Sequence, residues 1–177
     1  QELKALAEDI ASLSSMVVLE DNPNPTRVPS MVVHSESKGT AITFAGVPMG
    51  HEFTSLVLAL LHSGGHPIKE EASVLAQIAA LPGPLHFEIY VSLSCQTCPE
   101  VVQALNLMAA VNPKITTNMI DGAVFQQEVS DRNIMAVPTV FLNGEQFSQG
   151  AIALGNILNK VDASAASRQA EALASKE

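Results

Sequence analysis

The sequence predicts an α/β protein in two parts, and three observations predict it. Leu85, Phe87, Ile89, Val91 and Leu93 alternate along one face of a strand over residues 85–93. From there, strand and helix patterns follow in the order βαβαββα as far as residue 161. Ahead of them, Leu81-Pro82-Gly83-Pro84 interrupts every regular pattern and divides the chain.

The first part opens with an amphipathic helix over residues 1–14, with Leu3, Leu6, Ile10 and Leu13 at helical spacing. Residues 16–19 are a strand candidate, followed by a Pro/Asn loop over 21–25. Two further strands over 30–33 and 41–44 flank the polar stretch 35–40. Residues 52–63 form a helix too apolar all round for a surface position, ended by Gly64-Gly65. Another helix covers 69–80, with Val74, Leu75 and Ile78 on one face. In the second part, helices are expected over 99–111, 124–132 and 152–161, and strands over 115–120, 139–142 and 146–148. Asn143-Gly144 is a strong hairpin turn between the last two strands. Residues 162–177, rich in Ala and Ser, read as a helical linker or frayed end.

Of the 177 residues, 47% are hydrophobic, so a packed core is expected and disorder is not. The net charge of -9 disfavours nucleic acid as a partner. Trp is absent and aromatics make up 4%, which removes an aromatic stacking platform. The most apolar run, residues 56–61, is far shorter than the roughly 18 residues of a membrane helix. The first residue is Gln1 and helical spacing begins at once, which suggests a start inside a larger protein.

The chemistry is expected at Cys95 and Cys98, in Ser94-Cys95-Gln96-Thr97-Cys98-Pro99. A bridge between residues so close encloses almost no loop, so it stabilises little. Its value is chemical, or it is half of a metal site. The first turn of a helix presents unpaired N–H groups and the positive end of the dipole, and both favour a thiolate at Cys95. Cys98, inside that turn, is the more buried resolving residue. Structural zinc takes about four ligands. His34, His51, His62, His66 and His86 supply no second pair at zinc spacing, and Gly64-Gly65 separates His62 from His66. No metal is expected.

About forty residues on stands Ala136-Val137-Pro138-Thr139-Val140, a proline at the entrance to a strand, where normal ladder pairing is excluded. With the Cys-x-x-Cys and the element order, this resembles the thioredoxin fold. The resemblance implies a cis Pro138 packed against the cysteines. It also implies that the Val137 backbone pairs with a bound partner, with Gln96 and Thr97 at the rim.

A closer likeness extends over the whole chain. Residues 50–61 (Gly-His-Glu-Phe-Thr-Ser-Leu-Val-Leu-Ala-Leu-Leu), Gly64-Gly65-His66-Pro67, residues 101–108, Ile120-Asp121-Gly122, Val137-Pro138 and Asn143-Gly144 resemble the N-terminal domain of the flavoprotein subunits of alkyl hydroperoxide reductases. The resemblance implies two fused thioredoxin-like folds of which only the second carries Cys-x-x-Cys. The first would occupy 1–84, lacking an upstream strand and helix, and the second 85–161; 162–177 would lead to a reductase body. It implies a cytoplasmic electron relay from FAD and NADH in that body to a peroxiredoxin, the C subunit of the system. It also implies a homodimer for the full-length protein, and no cofactor bound by this chain. A free-standing disulfide oxidoreductase of the double-thioredoxin or glutaredoxin-like kind is the alternative, and a non-enzymatic docking or metal-binding module is a second.

Thioredoxin has a buried Asp six residues before its first cysteine; here that position is Ile89. Glu52, at the start of the apolar helix, is the candidate proton acceptor for the pair. A solvated Glu at a helix N-terminus is the competing reading, and for Glu100 it is the preferred one.

Overall fold

Strand order places the Cys-x-x-Cys strand near the middle of a single sheet. The computed structural model describes residues 1–174, with the side chains of 164–172 left aside. Helix α1 (Glu2–Leu13) leads into a hairpin of β1 (Ser30–Ser35) and β2 (Thr40–Ala45). A short 3-10 turn, Gly50–Glu52, precedes α2 (Phe53–Ser63), and α3 (Ala72–Ala79) completes the first half. The second half runs β3 (Leu85–Val91), α4 (Cys98–Val111), β4 (Ile115–Asp121), α5 (Gln126–Asp131), β5 (Thr139–Leu142), β6 (Glu145–Gln149) and α6 (Leu154–Ala174).

The six strands form one mixed sheet in the order β1-β2-β4-β3-β5-β6. The halves join edge to edge, because β2 runs parallel to β4, with Phe44 opposite Met119. The βαβ unit β3–α4–β4 supplies the second parallel pair, with Ile89 opposite Met119. Alternation then sorts the side chains by face. Phe44, Phe87, Ile89, Met119 and Val140 join Leu56 of α2 and Val102, Leu105 and Met108 of α4 in the main core. Ala45, Tyr90, Ile120 and Phe141 face the other way, onto Phe125, Val129 and Ile134 around α5. A buried parallel strand reads as a continuous apolar run, and β3 is buried at six of its seven positions.

Two segments repeat one local pattern. In the first half, the Ser30 hydroxyl donates to the Arg27 carbonyl at 2.5 Å, and the Gly46 N–H donates to the Pro29 carbonyl at 2.9 Å. In the second, the Thr139 hydroxyl donates to the Ala136 carbonyl at 2.6 Å, and the Gly150 N–H to the Pro138 carbonyl at 2.7 Å. Val28–Pro29 and Val137–Pro138 are both cis, and each hairpin that follows ends on a positive-φ glycine before a helix.

Residues 16–19 are not a strand. They run as an exposed connection that pairs with no described strand, with Met16, Val18 and Leu19 open to solvent. The expected helix over 52–63 begins as the 3-10 turn, so Glu52 stands just before α2, at its N-cap position and without a side-chain capping bond. Helix α6 runs on to Ala174, through most of the stretch read as a linker; residues 175–177 lie outside the described residues.

Candidate functional site

Strand β3 delivers the chain to the sheet end, and a short turn carries Cys95 to the mouth of α4. Cys98 is the first residue of that helix and Pro99 lies in its first turn, where few backbone bonds are lost. The two cysteines form a disulfide with Cα atoms 5.5 Å apart. Their exposure is unequal: Cys95 is half-buried and Cys98 is 0% exposed. The Cys98 N–H donates to Cys95 Sγ at 3.2 Å, one of the free donors of the helix start aimed at the outer sulfur. The Thr97 hydroxyl lies 3.5 Å from the same sulfur.

The proline loop closes the other side. Cys95 Sγ is 4.0 Å from the Val137 carbonyl oxygen, and Pro138 is buried behind it. Gln96 and Thr97 are exposed, and so is Met135, two residues before Val137, at 89%. Of the residues singled out in the sequence, Cys95, Cys98, Thr97 and Val137 are thus brought together. Two hollows, of about 180 and 330 Å³, are lined by neither cysteine.

Glu52 is 0% exposed. The turn that carries it is tied to the cysteine loop by the His51 N–H, which donates to the Leu93 carbonyl at 3.0 Å. Among the described residues, neither carboxylate oxygen has a hydrogen-bond partner of good geometry. Burial pushes its pKa up to about 6 from an ordinary 4.5, with Ser55 opposing. The solvated reading is thereby removed: this carboxylate is desolvated. Glu100, by contrast, is exposed in the first turn of α4. Ile89 fills the core position expected of it. Among the described residues no group of three or more His, Cys, Asp or Glu is placed to hold a metal.

A second polar cluster, on the far face of the sheet, has no counterpart in the sequence reading. Arg27 pairs with Glu88 at 2.6 Å and with Glu128 at 2.8 Å, and Arg132 pairs with Glu88 at 3.0 Å. The Tyr90 hydroxyl donates to Glu128 at 2.7 Å, and the Arg132 guanidinium lies 4.4 Å from the Phe141 ring centroid. The Arg27 hydrogen bonds hold the Glu128 carboxyl below the usual range, and burial pushes the Tyr90 phenol up. The only hint in the sequence is Glu88 between Phe87 and Ile89, a charge inside a buried strand.

A Cys-x-x-Cys at a helix start, one sulfur exposed and one buried, facing a proline loop at the head of an antiparallel strand, defines a thioredoxin-fold disulfide domain. Residues 85–162 match the family described as Thioredoxin domain. The chain is 53% identical over its whole length to the F subunit of alkyl hydroperoxide reductase of Pseudomonas putida, of which it covers 34%. It is 52% identical over 97% of its length to the corresponding Escherichia coli protein, covering 33% of it. The crystal structure of the NTD_N/C domain of the Enterococcus faecalis enzyme superposes with a TM-score of 0.81 at 33% identity, over 90% of this chain and 83% of that one. The chain belongs to the family of N-terminal domains of the alkyl hydroperoxide reductase F subunits. It spans about a third of the length of the curated relatives it matches. A protein disulfide oxidoreductase of Aeropyrum pernix shares the fold, with a TM-score of 0.65 at 23% identity. No described helix is long and apolar enough to cross a membrane.

Proposed function

We propose that this chain is a thiol–disulfide electron relay that reduces a peroxiredoxin disulfide. The observation that carries the reading is the unequal exposure of two bonded sulfurs at the start of α4, the outer one against the Val137 carbonyl. Once the pair is reduced, the Cys95 thiolate attacks one sulfur of the partner disulfide. A mixed disulfide forms and one partner thiolate leaves. Cys98 gives its proton to Glu52, and its thiolate attacks Cys95 Sγ. The second partner thiolate leaves, and the Cys95–Cys98 bond returns. Two electrons have moved to the partner. Val137, Pro138, Gln96 and Thr97 form the groove in which the partner strand lies.

In the full-length protein the pair is re-reduced by a flavin body, where FAD passes on the electrons of NADH. That protein works as a homodimer in the cytoplasm, with the peroxiredoxin C subunit as its acceptor. Residues 1–84 and 85–161 are two fused thioredoxin-like folds, and 162–177 lead toward the body. The matching hydrogen bonds at Arg27–Ser30 and Ala136–Thr139, and at Pro29–Gly46 and Pro138–Gly150, support this division. The first fold is a thiol-free brace: its 3-10 turn, which carries Glu52, is tied to Leu93, two residues before Cys95. The test is to mix the pre-reduced chain with an oxidised peroxiredoxin and count thiols on both. Transfer of two thiols per disulfide supports the relay. No transfer, with the chain's thiols intact, refutes it.

A further inference from the structure

Met135 is the most exposed large apolar side chain among the described residues. Exposure is ordinary for a single apolar residue, but this one is fixed in place from both sides. Ahead of it, the Ile134 N–H donates to the Val129 carbonyl at 3.0 Å, and the Ile134 side chain packs on the cluster of Tyr90 and Phe141. Behind it, the Thr139 hydroxyl donates to the Ala136 carbonyl at 2.6 Å, and Val137 packs on the main core. A braced backbone thus presents the thioether to solvent. Its place is next to the chemistry, because the Val137 carbonyl oxygen is 4.0 Å from Cys95 Sγ. Two residues of chain span at most about 7 Å. A protein disulfide that reaches Cys95 Sγ therefore covers Met135 too, and a thioether adapts readily to the apolar surface of such a partner.

We propose that Met135 is a modification site: a hydroperoxide oxidises its thioether, and the sulfoxide slows electron transfer from the dithiol to a protein partner. The inference rests on the relay reading of Cys95 and Cys98. In the modifying step, the thioether sulfur gives an electron pair to the outer oxygen of the peroxide. The S–O bond forms as the O–O bond breaks. The peroxide's own hydrogen passes to the released oxygen, which leaves as an alcohol, or as water from hydrogen peroxide. The sulfur is oxidised by two electrons and the peroxide is reduced by two. A flexible apolar group has become a polar one, so the contact that a docked partner makes with it loses apolar burial. Excess hydroperoxide thereby slows the output of electrons from this chain without touching either cysteine.

The test treats the chain in its disulfide form with hydrogen peroxide, removes the peroxide, and reads each methionine by peptide mass spectrometry. Met135 and Met16, 89% and 83% exposed, are expected to oxidise first, and Met108 and Met119, both 0% exposed, last. Oxidation of Met135 no faster than that of Met108 and Met119 overturns the proposal. The dithiol is then reduced, and the rate of thiol transfer to an oxidised peroxiredoxin is compared with that of the untreated chain. Treatment is expected to slow the parent by about tenfold. Met16→Leu should be slowed as much, Met135→Leu should have the same rate before and after treatment, and methionine sulfoxide reductases should restore the parent. A small aromatic disulfide, which reaches Cys95 without covering Met135, should be reduced at one rate throughout. An unchanged parent rate once Met135 is oxidised, an equal slowing of Met135→Leu, or an equal slowing toward the small disulfide overturns the proposal. The relay reading fails separately, if the untreated chain transfers no thiols to the peroxiredoxin.

Discussion

The sulfur of Cys95 lies 4.0 Å from the carbonyl oxygen of Val137, forty-two residues away in sequence. This contact joins the helix that activates the thiol to the loop that would hold a partner strand. A partner disulfide pairing with the Val137 backbone arrives beside the exposed sulfur, while Cys98 stays inside. The order of attack follows from that placement.

Cys98→Ser is expected to stop turnover after the first bond exchange. The reduced variant should trap a covalent adduct with an oxidised peroxiredoxin, seen by mass spectrometry as the sum of the two chains and cleared by added thiol. Rapid, complete reduction without an adduct would show that Cys98 does not resolve.

Glu52 makes stability depend on pH in an unusual direction. Its folded pKa of about 6 stands above the unfolded 4.5, so the folded state binds the extra proton between those values. Its contribution is complete below pH 4.5 and is lost as pH rises through 6. The loss amounts to about 2 kcal/mol. Relative to the parent chain, Glu52→Gln should gain stability at neutral pH and lose this slope. Urea titrations at three pH values check both.

The ion cluster on the far face clamps the loop before β1 to β3 and α5. Arg27→Met leaves Glu88, 6% exposed, with Arg132 as its remaining partner, and Glu128 with the Tyr90 hydroxyl alone. The expected cost is about 2–3 kcal/mol, read as a lower denaturation midpoint. The thiol titration should not change, since this face is turned away from the dithiol.

Gly50 is the point where the first half meets the cysteine loop. Its φ is +58°, and a Cβ there would lie 2.8 Å from the Leu93 carbonyl oxygen. Gly50→Ala should cost about 2 kcal/mol and push the Glu52 turn away from the site. Unlike Arg27→Met, it should alter the thiol titration, measured by thiolate absorbance of the reduced chain.

The second half was largely legible because its signals are local. The alternation of β3, the Asn143-Gly144 turn and the three-residue cysteine spacing each lie within a few consecutive residues. Met16-Val17-Val18-Leu19 carries the same β-branched signal and forms no strand, because pairing depends on an edge that a local pattern does not contain. The ion cluster was invisible for a related reason: Arg27 meets its carboxylates 61 and 101 residues away. Glu52 was placed as a helix start, but whether it was solvated or buried depended on the packing of α2 against α4. Gln103 Nε2 donates to the Ser55 hydroxyl oxygen at 3.3 Å, and the sequence gave no signal of it, since a Ser and a Gln on two helices become a pair only when those helices meet.

In the proposed relay, electrons leave this chain through Cys95 Sγ. Pre-reduced parent and Cys95→Ser chains, mixed with an oxidised peroxiredoxin and quenched with acid, test it most directly. Two new thiols per peroxiredoxin disulfide are expected with the parent and none with Cys95→Ser, whose Cys98 remains free and buried. Reduction by Cys95→Ser at a rate near that of the parent would contradict it.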